Sequence, residues 1–178
     1  TKIDYDATVL EEAVDLIMKD FDTFKNEETF IYDIVDLQRQ LITNTSYEFF
    51  NRILESYSSR DLVSFNKYAA KYLSCIEKLD EIASYNEHQL TGRWIELATK
   101  FYNDERTGEY DDFAKDMMEY DARALISTWA SRSWFTYCHR QYSGILMDFA
   151  YRMWDTWLAN LRSDLEGGEY KTLTAGKD

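Results

Sequence analysis

Residues 59 to 84 read Ser-Arg-Asp-Leu-Val-Ser-Phe-Asn-Lys-Tyr-Ala-Ala-Lys-Tyr-Leu-Ser-Cys-Ile-Glu-Lys-Leu-Asp-Glu-Ile-Ala-Ser, and this stretch decides the fold class. Leu62, Val63, Phe65, Tyr68, Ala69, Tyr72, Leu73, Ile76, Leu79 and Ile82 recur at steps of three and four, the stripe of a helix that buries one face. Ser59 is placed to cap it. Upstream, Leu10, Ala13, Val14, Ile17, Met18 and Phe21 give the same period over Ala7 to Phe24, with Asp6 as N-cap. Ile31, Ile34, Val35, Leu37, Leu41, Ile42, Phe49, Phe50, Ile53 and Leu54 extend it from about Glu28 to Tyr57. An irregularity is expected at Asn44-Thr45-Ser46, whose short polar side chains compete for backbone hydrogen bonds. These three segments read as long antiparallel helices.

Downstream, Tyr85 to Leu90 is a polar connection, and Thr91 precedes a shorter helix carrying Trp94, Ile95, Leu97, Ala98 and Phe101. Asn103 to Gly108 breaks it. A fifth helix runs from Tyr110 to Trp129, the polar stretch Ala130-Ser131-Arg132-Ser133 interrupts the pattern, and a sixth spans roughly Trp134 to Leu165 before Gly167-Gly168. The sequence contains 178 residues, no proline and 6 glycines, whereas sheet proteins punctuate their turns with both. With no repeat or linker, the expectation is an all-α bundle of about six helices, mostly long and antiparallel, forming one domain over residues 1–178. The start at Thr1 and the Ala-Gly-Lys-Asp end fit an excised or processed fragment.

Charge and motifs remove several function classes. A net charge of -13 repels a phosphate backbone and an anionic membrane, so neither nucleic acid nor a membrane is expected as partner. No apolar run approaches the ~20 residues that span a bilayer. The Glu-x-x-His pairs of a di-iron bundle are absent, because Tyr85 and Thr136 stand three residues before His88 and His139. No metal and no cofactor is expected. Cys138 beside His139 points about 100° away from it on a helix and reads as a buried thiol rather than half of a catalytic pair. Carboxylates such as Asp111, Asp112, Asp116, Glu119 and Asp121 read as a solvated helix face, and the tryptophans of the last helix as core. Asp36 and Arg39, one turn apart, are expected to pair on the helix surface.

Three segments together resemble the all-helical C-terminal domain of the α-N-acetylglucosaminidases of glycoside hydrolase family 89. Tyr32-Asp33-Ile34-Val35-Asp36-Leu37-Gln38-Arg39-Gln40 is similar to the family's Tyr-Asp-Leu-Leu/Val-Asp-Leu/Val-Thr-Arg-Gln. Leu90-Thr91-Gly92-Arg93-Trp94-Ile95-Glu96 is similar to Leu-Leu-Gly-x-Trp-Leu-Glu. Ala122-Arg123-Ala124-Leu125-Ile126-Ser127-Thr128-Trp129, with Tyr137 to Ile145 after it, resembles the Arg-x-x-x-Thr-x-Trp-Gly loop and the Asp-Tyr-Ala-Asn-Lys/Arg-Gln-x-Ala/Ser-Gly-Leu helix. Ala130, Thr136 and His139 depart from that pattern, and the loop is shorter.

The resemblance implies part of an enzyme that hydrolyses terminal α-linked N-acetylglucosamine from glycans with retention, using two carboxylates ~5–5.5 Å apart. Both belong to a separate barrel in the family, so no catalytic residue is expected in this chain. Its implied partners are the catalytic barrel of the same polypeptide and an N-acetylglucosamine-terminated glycan. The parent is expected to be secreted, periplasmic, at the cell surface or lysosomal. By match, Trp129 reaches the sugar and Trp134 lines the same pocket, with Arg123 and Tyr137 supporting the site. Trp129 also ends a helix at a polar break, where a ring is less easily buried and free to stack on a sugar face. The alternative is that both tryptophans pack within the bundle and the chain is a free-standing helical interaction module. An excised domain should instead expose an apolar patch where its barrel was.

Overall fold

The structure, a computed structural model, describes residues 3–105, 112–127 and 141–167. Helix α1 (Ala7–Met18) is followed by the single turn α2 (Phe21–Phe24), so the first expected helix is split at Lys19-Asp20. Helix α3 (Glu28–Ser58) and helix α4 (Leu62–Ser84) form the central hairpin. A 3-10 turn (Glu87–Gln89) leads into α5 (Thr91–Glu105), and α6 (Asp112–Ser127) packs on α5. The chain closes with a π-helical stretch (Leu146–Tyr151) running into α7 (Arg152–Leu165). Among the described residues there is no strand, only an isolated bridge between Leu90 and Ser143. The all-α bundle is therefore established.

Other local expectations change. The last helix, expected from roughly Trp134, is described only from about Leu146, because residues 141–143 run as an extended strap whose Ser143 bridges to Leu90. Helix α3 runs unbroken through Asn44-Thr45-Ser46, because Thr45 Oγ1 donates to Leu41 O at 3.0 Å and Ser46 Oγ to Thr43 O at 2.8 Å, bonds the helix tolerates. Asn44, buried, is instead held by the Tyr5 hydroxyl and the Gln40 amide, which joins the N-terminal segment to α3. Helix α4 starts at Leu62, not Ser59. Its cap is Asp61, which accepts from Ser64 N at 3.0 Å; those bonds hold its pKa below the ordinary carboxylate value.

Arg60 takes the left-handed conformation, φ 54°, that turns α3 into α4. Its Nη2 donates to Asp164 O at 2.8 Å, while the Tyr57 hydroxyl donates to Asp164 Oδ2 at 2.7 Å, so the end of α7 is tied to the hairpin tip. Gly167, φ 88°, ends that helix. The core lies between α3, α4 and α7, where Ile53, Phe65, Ala69, Leu158 and Leu161 are buried together. A second layer joins Ile76, Leu79 and Leu146 to Trp154 and Tyr72. Trp154 and Trp157 pack with Phe50 at ring-centroid distances of 5.6 and 6.1 Å, so the last helix uses its tryptophans as core. Val63, expected in the stripe, stays exposed.

Candidate functional site

At the end of the bundle formed by the first half of α3, a cleft of about 780 Å³ opens between α3, the 3-10 turn and the start of α5. Helix α3 contributes Glu28, Thr29, Tyr32, Asp33, Asp36 and Arg39; His88, Gln89 and Trp94 face them, and Tyr142 closes one side. Positions 29, 32, 33, 36 and 39 follow the helical repeat and so share a face of α3.

Arg39 forms the floor. It is 4% exposed rather than at the surface; Nη1 donates to Asp36 Oδ1 at 3.2 Å, and Nη2 reaches Gln141 O at 2.9 Å, 102 residues along the chain. Burial pushes its pKa down and the Asp36 carboxylate opposes the shift; a guanidinium stays charged at neutral pH all the same. Above it the rings are fixed. Trp94 Nε1 donates to His88 O at 3.0 Å, Trp94 and Tyr142 tilt at 59° with centroids 6.5 Å apart, and Tyr32 meets His88 edge-on at 6.4 Å.

Tyr142 is placed by a strap over residues 141–145. Gly144 N donates to Asp80 Oδ1 at 2.7 Å and Ser143 Oγ to Asp80 Oδ2 at 3.2 Å. Ser143 N donates to Gln89 O at 2.8 Å, Thr91 N to Ser143 O at 3.0 Å, and Ile145 N to Thr91 Oγ1 at 3.3 Å. Gly144 has φ 96°, a conformation in which a side chain is strained, while the space beside it would tolerate a Cβ, 3.6 Å from Thr91.

Of the groups able to hold a metal, Glu28, Glu87 and His88 have ligand atoms within 4.8 Å of one another. His88 Nε2 lies 3.8 Å from each carboxylate, and Arg93 Nη1 already pairs with Glu87 at 2.7 Å. Two exposed carboxylates, one of them ion-paired, are a weak donor set for a cation.

Of the site residues expected from sequence, Arg123 lies on the exposed side of α6 and pairs with Glu119 through Nη2 at 2.7 Å. Trp129, Trp134 and Tyr137 lie outside the described residues; the flanking described ends are Ser127 of α6 and Gln141 of the strap. Tyr32, Trp94 and Tyr142 stand within the family-like segments, but nothing in local periodicity signals that they meet. Asp80 gave no signal at all, since it reads as one more polar position on an amphipathic helix.

The family profile of the α-N-acetylglucosaminidase (NAGLU) C-terminal domain matches residues 1–176. Human α-N-acetylglucosaminidase is 22% identical over 170 residues, covering 94% of this chain and 22% of the human protein. A double variant of a Clostridium perfringens family 89 enzyme, in complex with its substrate GlcNAc-α-1,4-galactose, superimposes with a TM-score of 0.88 at 31% identity, over 98% of this chain and 20% of that one. The family 89 glycoside hydrolase from the same organism in complex with PUGNAc gives the same TM-score and identity, over 97% and 20%. The chain thus spans about a fifth of the length of the relatives it matches.

Proposed function

Because this chain belongs to the α-N-acetylglucosaminidase C-terminal domain family of glycoside hydrolase family 89, we propose that it packs on the catalytic barrel of its parent enzyme and completes one wall of the substrate pocket. The parent removes terminal α-linked N-acetylglucosamine from glycans with retention and works in a secreted, periplasmic, cell-surface or lysosomal setting. Trp129 contacts the sugar, Trp134 lines the same wall, and Arg123 and Tyr137 support them. The carboxylates that break the bond come from the barrel, and none is assigned to this chain.

The observation that carries this reading is convergence. The first two family-like segments and the second half of the third, Tyr137 to Ile145, are far apart in sequence yet meet around one cleft through Arg39, Trp94, Gln141 and Tyr142. Three stretches so far apart need not meet at one cleft for the core to pack, so their meeting there supports a shared task. A second support is the exposed apolar row Phe113, Met117 and Tyr120 on one face of α6, the helix that precedes Trp129.

The test is Trp129→Ala in the full-length enzyme. A stacked ring is worth ~1–3 kcal/mol by analogy with base stacking, so kcat/KM for a chromogenic α-N-acetylglucosaminide should fall about 5- to 150-fold. The 178-residue chain alone should release no aglycone. Unchanged kinetics in a folded variant would remove Trp129 from the pocket wall, and genuine turnover by the isolated chain would overturn the assignment.

A further inference from the structure

The cleft has a lining of definite chemistry. Tyr32 and Trp94 are 46% and 44% exposed, yet each is held in place, Trp94 by its bond to His88 O and Tyr32 by its edge contact with the His88 ring. Such preorganised faces bind an apolar surface at little cost in ordering. Of the carboxylates in this lining, Asp36 is paired with Arg39, whereas Glu28 and Asp33 have no Lys or Arg partner among the described residues, so the cleft offers carboxylate oxygens free to accept hydrogen bonds. Gln89, in the same lining and only 5% exposed, has a buried side-chain oxygen without a hydrogen-bond partner among the described residues, an acceptor awaiting a donor.

Three ligand chemistries compete for this lining. A cation is drawn by Glu28 and Asp33, and free arginine in the titration below tests for it. An anion meets Glu28 and Asp33 at the rim. A neutral polyhydroxylated ring satisfies every feature: its apolar C–H face suits Trp94 and Tyr32, its hydroxyls donate to Asp33, Asp36 and Gln89, and a cleft of about 780 Å³ has room for it.

We propose that this cleft is a pyranose-binding subsite in which Trp94 and Tyr32 stack on the sugar and Asp33, Asp36 and Gln89 accept its hydroxyls. The inference rests on the glycosidase reading and adds to it a part of the glycan contact made by α3 and α5 rather than by the Trp129 segment. Tyr142 bounds the subsite through the strap that Asp80 holds.

The 178-residue chain, which encloses its own core, is titrated with N-acetylglucosamine and separately with galactose. Indole emission and the Trp94 indole N–H resonance are followed. A saturable response to either sugar is expected, weakened at least about fivefold in Tyr32→Ala, the lower end for loss of one stacked ring. Asp33→Asn, which alters a single exposed carboxylate, is expected to weaken it as well and guards against a folding defect in the first variant; far-UV helicity is checked in both.

No saturation by either sugar, saturation untouched by both variants, or saturation of the same signals by free arginine would overturn the subsite. Hydrolysis of an α-N-acetylglucosaminide by the full-length protein separates the two readings. A full-length enzyme that cleaves while the chain binds no sugar leaves the glycosidase reading standing without this subsite, whereas sugar binding with no cleavage does the reverse.

Discussion

Asp80→Ala takes away the carboxylate that fixes the strap beside the cleft. The structure gives it two bonds, from Gly144 N at 2.7 Å and Ser143 Oγ at 3.2 Å, both partly buried. A hydrogen bond to a charged group contributes about 1.5–3 kcal/mol, and partial exposure argues for the lower end, so the pair is worth about 2–4 kcal/mol. For a domain of this size each kcal/mol moves Tm by about 2–4 °C, so the variant should melt about 4–16 °C below the wild type. Urea unfolding followed by far-UV circular dichroism measures the loss, with an unchanged m-value showing that the unfolded state is the same. Asp80→Asn keeps an oxygen for Gly144 N and should recover much of the difference. Hydrogen exchange at the Gly144 amide should accelerate in the Ala variant. Stability within about 0.5 kcal/mol of wild type, together with unchanged exchange, would refute the strap.

Ile53, fully buried against Phe65 and Leu158, should lose about 2–5 kcal/mol in Ile53→Ala by urea unfolding, as large-to-small core changes do. Burial pushes the Tyr72 hydroxyl well above its ordinary 10.0. Its raised folded value means that the stability it carries is intact below pH 10 and is lost as the unfolded chain ionises above it, so tyrosinate absorbance at 295 nm should show one phenol titrating only with alkaline unfolding. Arg123→Ala in the full-length enzyme should lower stability and activity together; the exposed Glu119 pair alone accounts for only about 0.3–0.5 kcal/mol, and lost turnover with folding intact would instead put Arg123 at the sugar.

The sequence by itself determined the helices and the family. Periodicity of three and four is a local property, so Phe65, Ala69, Ile76 and Leu79 announced the buried face of α4 before any partner was known. The three family-like segments were equally legible, because residue identity at fixed spacing survives without coordinates. Only the tertiary structure decided what those segments do together. Arg39 pairs with Asp36 one turn away, as spacing foretold, but its burial and its bond to Gln141 depend on a chain reversal 102 residues long. Asp80 and Gly144 are likewise 64 residues apart, and nothing near either one names the other. A helix forms from the preferences of its own residues, whereas a cleft exists where separate helices are brought side by side, and that placement is fixed by packing summed over the whole bundle.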